Sequence, residues 1–182
     1  MKSRLALVAA VPLILAACGD APTEVDPNDA EAMAELADNM VKPAAGEYEV
    51  TSELIDFEIS GLPKDQSDMM RGMMEGGFSQ TTKYCLTEEE AEAGFEESIR
   101  EMQSAQGECD YKKFAASGSS LEAEMTCNGP DGSVANMAME GSLSETEQDI
   151  TMTMDATSPE MPGDGMKMKM RMQSKRIGEC AA

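Results

Sequence analysis

Hydrophobic residues fall into three regimes along this 182-residue chain. From Leu5 to Ala17 they run continuously, broken only by Pro12. Between Gly19 and Ala45 they thin out among Ala, Asp, Glu and Pro, a composition with too little apolar surface to bury and one that stays solvated. One short helix is legible there, with Asp29 as its cap and Met33, Leu36, Ala37 and Met40 at helical spacing over 30–41. Such a helix is marginal alone in water, so 18–45 is expected as an acidic tether with at most a transient helix.

From Gly46 the period changes to that of strands. Tyr48, Val50 and Leu54 share one phase while Ile55, Phe57 and Ile59 share the other, so the first strand needs a bulge or bend near Leu54. Met69, Met70, Met73 and Met74 then recur at i, i+1, i+4 and i+5, which predicts a helix within 61–77 carrying them on one face and ending at Gly76-Gly77. A second strand is expected over 78–86. Thr87 to Glu90 is a capping-box signature opening an acidic helix to about Gln103, with Ala91, Phe95, Ile99 and Met102 on its buried side.

The remainder reads as strands over 109–116, 120–127, 133–140, 147–156 and 166–177, separated by Gly- and Pro-rich turns. Alternation is plain where Met166, Met168, Met170 and Met172 interleave with Lys167, Lys169 and Arg171. The expected fold is mainly β with minor α. About seven strands form a curved antiparallel meander, a half-barrel or open barrel, with one or two helices over 46–182.

Composition narrows the function. Acids outnumber bases 35 to 14, giving a net charge of −21, which sets the chain against nucleic acid and anionic surfaces. There is no histidine, hence no neutral-pH proton shuttle, no usual activator of a serine or cysteine nucleophile and no commonest zinc ligand. No pair of carboxylates is singled out for catalysis. The expectation is a protein that is not an enzyme and carries no cofactor. Glu88 to Glu90 and Glu96-Glu97 read as a solvated helix face.

Lys2 and Arg4 before the apolar run, and Leu15-Ala16-Ala17-Cys18 after it, make 1–17 a secretory signal peptide too short to span a membrane as a mature helix. The last four of these residues resemble the lipobox of bacterial lipoproteins, which implies a diacylglyceryl group on the Cys18 thiol and cleavage just before it. Loss of Lys2 and Arg4 takes the net charge to −23. Gly19 rather than aspartate follows Cys18, with Asp20 one place later. By the same resemblance, the chain is expected in the cell envelope, facing the periplasm from the outer membrane, its only membrane contact the lipid anchor.

Four cysteines remain. An even number in an exported chain favours disulfides, and three pairings are possible. With the Ser117-Gly118-Ser119 turn centred on Gly118, antiparallel partners have numbers summing to 236, which places Cys109 opposite Cys127 within bridging distance. A turn centred half a step away offsets them by one residue. Cys85 then pairs with Cys180 by elimination.

Gly46-Glu47-Tyr48-Glu49, Cys85-Leu86-Thr87-Glu88-Glu89, the Cys109 and Cys127 hairpin and the closing Arg176-Ile177-Gly178-Glu179-Cys180 together resemble the proteobacterial domain-of-unknown-function family thirty-six-seventeen over about 46–180. The resemblance implies a periplasmic or surface-anchored β-rich domain and supplies no activity.

Eighteen methionines demand a use. On one reading Met152, Met154, Met168, Met170 and Met172 line a concave apolar sheet face, a pocket for a hydrophobic ligand or an envelope protein, with methionine as an adaptable filler. The alternative is a periplasmic Cu(I)-binding protein, with thioethers from Met69, Met70, Met73 and Met74, or from Met166 to Met172, as soft ligands.

Overall fold

The computed structural model describes residues 22–95, 109–161, 163 and 165–181. In chain order the elements are β1 Thr23–Val25, α1 Ala30–Asp38, β2 Gly46–Ser60, α2 Lys64–Phe78, β3 Gln80–Leu86, α3 Glu88–Ala93, β4 Cys109–Ala116, β5 Ser120–Asn128, β6 Val134–Leu143, β7 Glu147–Thr157 and β8 Gly165–Gly178. All strand pairs are antiparallel in one open sheet ordered β1-β4-β5-β6-β7-β8-β2-β3. The expected mainly β meander is what forms, with eight strands and three helices among the described residues. Phe78 closes α2 instead of opening a strand, and α2 runs straight through Gly76 and Gly77. The predicted continuation of α3 toward Gln103, with Ile99 and Met102, lies outside the described residues.

Period-two side chains give the sheet one apolar and one charged face, and the strands stay in phase only because three of them carry an extra residue. In β2 the register with β8 shifts between Leu54 and Asp56, leaving Ile55 as the bulge, so that Leu54, Phe57 and Ile59 all turn to the apolar side. In β4 the shift falls between Tyr111 and Lys113. In β8 it falls at Ile177, between the Glu47 and Tyr48 pairings.

The β4 bulge also explains the first disulfide. Ser117 N–H donates to Ser120 O, so the turn has two residues and partners beside it sum to 237, as in Ala116 opposite Leu121. Lys112 absorbs one residue, and beyond it Cys109 stands opposite Cys127 with Cα atoms 4.0 Å apart. The pairing is as expected, through a half-step turn that a bulge corrects. Cys85 and Cys180 form the second bridge; their 95-residue separation makes it worth roughly 4 to 5 kcal/mol in the chain-entropy model.

The segment expected as tether is folded from Thr23 onward. β1 pairs with β4, Thr23 opposite Ala116. Asp29 caps α1 by accepting from the Glu31 and Ala32 N–H groups. Met33, Leu36, Ala37 and Met40 are buried against Phe114, Ala116, Leu121, Ala123 and Leu143. The thin apolar face that does not hold a lone helix suffices here because the sheet supplies its partner.

After α1 the chain crosses the end of the sheet as a strap. Val41 N–H donates to Gly118 O at 2.8 Å, Ala44 N–H to Glu145 O at 2.7 Å, and Ala45 O accepts from Arg176 Nε at 2.7 Å. The Tyr48 hydroxyl, on a side chain 1% exposed, lies 2.7 Å from Ala44 O and 3.0 Å from Glu145 O. Its ring stacks on Tyr84. Gly46, at φ 146°, turns the strap into β2, and a Cβ there would collide with Gly178 O and the Arg176 guanidinium.

Two outcomes are expected in urea unfolding. Met33→Ala should cost about 2 to 5 kcal/mol, as for a core methionine; an unchanged midpoint would restore the tether. Tyr48→Phe should cost about 0.5 to 1.5 kcal/mol by removing the hydroxyl shared by Ala44 O and Glu145 O, the latter keeping the Ala44 N–H; a cost near zero would show that the strap holds without it.

Candidate functional site

Strand register assembles methionines that are scattered in sequence. On the apolar face Met125, Met137, Met154 and Met168 lie opposite one another in a single row from β5 to β8, ending at Phe57 of β2. The next row holds Ala123, Met139, Met152 and Met170 and ends at Leu54. All seven methionines are half-buried. Directly opposed Cα atoms in such ladders lie about 4.5 to 5.5 Å apart, within mutual reach of thioethers.

Two helices cover the ends of these rows. α1 sits on the β4 to β6 side, where Met139 packs against its cluster. α2 sits on the β2 and β8 side, where Met70 and Met74 join Met166, Met168 and Met170 around Leu54, Phe57 and Ile59. Between the two footprints the floor is Met137, Met152 and Met154, which belong to neither cluster.

The expected pocket residues are thus divided. Met152 and Met154 lie in the centre, Met168 and Met170 pack under α2, and Met172 is 41% exposed opposite Ile150 and Ser52. The helix methionines do not share a face. Met70 and Met74 point to the sheet, whereas Met69 and Met73 point to solvent at 69% and 77% exposure. Residues i and i+1 differ by about 100° around a helix, which a sheet-facing stripe does not span twice.

The other face carries a shallow cleft. Its volume is about 520 Å³, and it is lined by Glu122 of β5, Glu140 of β6, Asp149 of β7, Lys169 and Arg171 of β8 and Ile55 of β2. The cleft lies on the charged face of the open sheet and the methionine rows on the opposite face.

On the charged face β8 is a cationic strand between acidic neighbours. Lys167 pairs with Asp155 at 3.8 Å and Lys175 with Glu147 at 2.9 Å, each directly opposite its partner. Arg171 Nε donates to Asp149 Oδ1 at 2.8 Å, its NH2 group to Oδ2, and Gln173 also donates to Oδ2. The Arg171 guanidinium holds the Asp149 carboxyl below its ordinary 3.8, against a smaller opposing effect of burial. The alternation of Lys and Arg with Met in the sequence announced this strand's two faces. Its partners became legible only with the register.

A depressed carboxyl stabilises the fold above its unfolded pKa, and that contribution disappears as pH falls through the folded value. Asp149→Asn should therefore lower stability at pH 7 by less than about 1 kcal/mol and flatten the loss of stability below pH 3.8. Urea midpoints from pH 7 down to pH 2 measure it; an unchanged acid limb would show the pair to be inert.

Among the described residues no three His, Cys, Asp or Glu side chains form a metal-holding group, and no helix is long and apolar enough to cross a membrane. No curated protein and no solved structure matches the chain. A family model, described as Protein of unknown function (DUF3617), matches residues 42–180. The match opens within the strap at Lys42 and closes on Cys180, taking in both disulfides and every strand but β1. The chain belongs to that family.

Proposed function

We propose that this is a non-enzymatic envelope lipoprotein, anchored through Cys18 in the outer membrane and facing the periplasm, that holds a hydrophobic ligand against its methionine rows. The observation that carries the reading is the central floor of Met137, Met152 and Met154, bounded on one side by the footprint of α1 and on the other by that of α2. Methionine suits this task because its unbranched thioether adapts to irregular apolar shapes. The absence of histidine from the whole sequence supports a binding role over hydrolysis.

A second reading is favoured by one feature, the direct opposition of Met137 to Met154 and of Met139 to Met152. These four thioethers occupy the corners of one block on β6 and β7, a donor set that suits Cu(I) without histidine or carboxylate. This block replaces the α2 quartet as the metal alternative, since Met69 and Met73 face away from Met70 and Met74.

One triple variant separates the two. Met137→Leu, Met152→Leu and Met154→Leu conserve volume and should cost less than about 1.5 kcal/mol each. In the leading reading the variant still binds a neutral apolar dye such as N-phenylnaphthylamine, and native mass spectrometry of envelope-purified wild type shows a co-purified lipid-sized species. In the metal reading the wild type holds Cu(I) against a competing chelator and the variant releases it. A wild type that binds neither dye nor Cu(I) would overturn both.

A further inference from the structure

The fold determines which end of the sheet a lipid anchor would hold. β1 begins at Thr23 opposite Ala116, the last residue of β4, so the chain enters at the end that carries the Ser117–Ser119 turn. Antiparallel order puts the Ser144–Thr146 turn and the Cys85–Cys180 bridge at the same end. The strap from Asn39 to Ala45 crosses that end as well, through the Gly118, Glu145 and Arg176 contacts. The connections between β5 and β6 and between β7 and β8 lie at the opposite end, roughly 46 Å away along the 14 residues of β8.

Four residue steps separate Cys18 from Pro22, which span at most about 14 Å. That is less than a third of the sheet's length. Both broad faces carry exposed acids, Glu124 and Glu140 on one side and Glu31, Glu35, Asp65 and Glu75 of the helices on the other, and repel an anionic bilayer laid flat against them. The turn end presents Asn39, Gly118, Ser119, Ser144 and Thr146, together with Lys42, Glu145 and the exposed Glu88, Glu89, Glu90 and Glu92 of α3, which follows Leu86 there. Charge thus repels an anionic layer at this end as at the faces, and the short connection to Cys18 is what selects the end.

We infer that the domain stands with its turn end nearest the bilayer, the Ser117–Ser119 and Ser144–Thr146 turns and the strap facing the lipid headgroups because the four residues after Cys18 hold the chain's entry point there. The methionine rows then run parallel to the bilayer, with Met139 and Met137 of β6 roughly 13 and 20 Å from the turn end at Leu143. This rests on the anchoring at Cys18 proposed above.

The described cysteines are all paired, so one introduced thiol can be labelled selectively in the lipidated full chain. Fluorophores at Ser119→Cys, Thr146→Cys, Asn128→Cys and Glu160→Cys report depth when the protein is bound to phosphatidylethanolamine and phosphatidylglycerol vesicles containing headgroup spin-labelled lipid. Quenching should be several-fold stronger at positions 119 and 146 than at 128 and 160. A long Gly-Ser run inserted between Ala21 and Pro22 should remove the difference. Equal or reversed quenching, or a gradient that survives the longer stalk, would overturn the inference. Vesicle flotation isolates the premise: a chain that fails to float refutes the anchor, whereas one that floats without a gradient refutes only the orientation.

Discussion

A sheet with one apolar face tolerates no phase error. A slip of one residue moves a strand's whole apolar set to the wrong side. In this protein the constraint is unusually sharp, because the wrong side of β8 would receive Met166, Met168 and Met170 in exchange for Lys167, Lys169 and Arg171. The two sets specify one register together: methionines meet methionines across β7, while cations meet Asp155, Asp149 and Glu147. Exposed ion pairs contribute little each. Their weight lies in making every alternative register worse.

The bulges follow from the same constraint. β2 and β4 both need an apolar set that switches phase, and Ile55 and Lys112 absorb the extra residue in each. In β4 the correction has a covalent consequence, since without it Cys109 would face away from Cys127. At the turn end Tyr48 and Arg176 perform the complementary task of tying the strap to β8 and to the β6–β7 turn. The β8 bulge at Ile177 lies beside this knot.

Local pattern carried far in this chain and failed where a partner decides. The phase change from Leu54 to Ile55 announced a bulge, and the Thr87 to Glu90 box announced a helix start, because each is a property of a few adjacent residues. β1 is only three residues long and has no period to detect. α1 was legible as a helix but not as core, since its burial depends on Phe114 and Leu121, which are more than seventy residues away in sequence. The α2 methionines looked like one stripe because spacing alone does not say which part of a wide arc meets the sheet. The methionine rows were half legible: alternation put Met152, Met154, Met168 and Met170 on one apolar face, whereas Met125 and Met137 join them only once four strands are in register.

Why the rows are methionine and not leucine bears on what the face does. Under the helices methionine packs beside branched and aromatic residues, Met33 and Met40 with Phe114 and Leu121, and Met70, Met74, Met166, Met168 and Met170 with Leu54, Phe57 and Ile59, whose shapes fix the packing. Between the helices the chain uses unbranched thioethers, which lose more rotamer entropy when fixed and so specify a unique packing poorly. Methionine therefore runs across the whole face; what ends at the boundary of the helix footprints is the set of branched and aromatic neighbours, so Met137, Met152 and Met154 lack the shapes that fix the thioethers under α1 and α2.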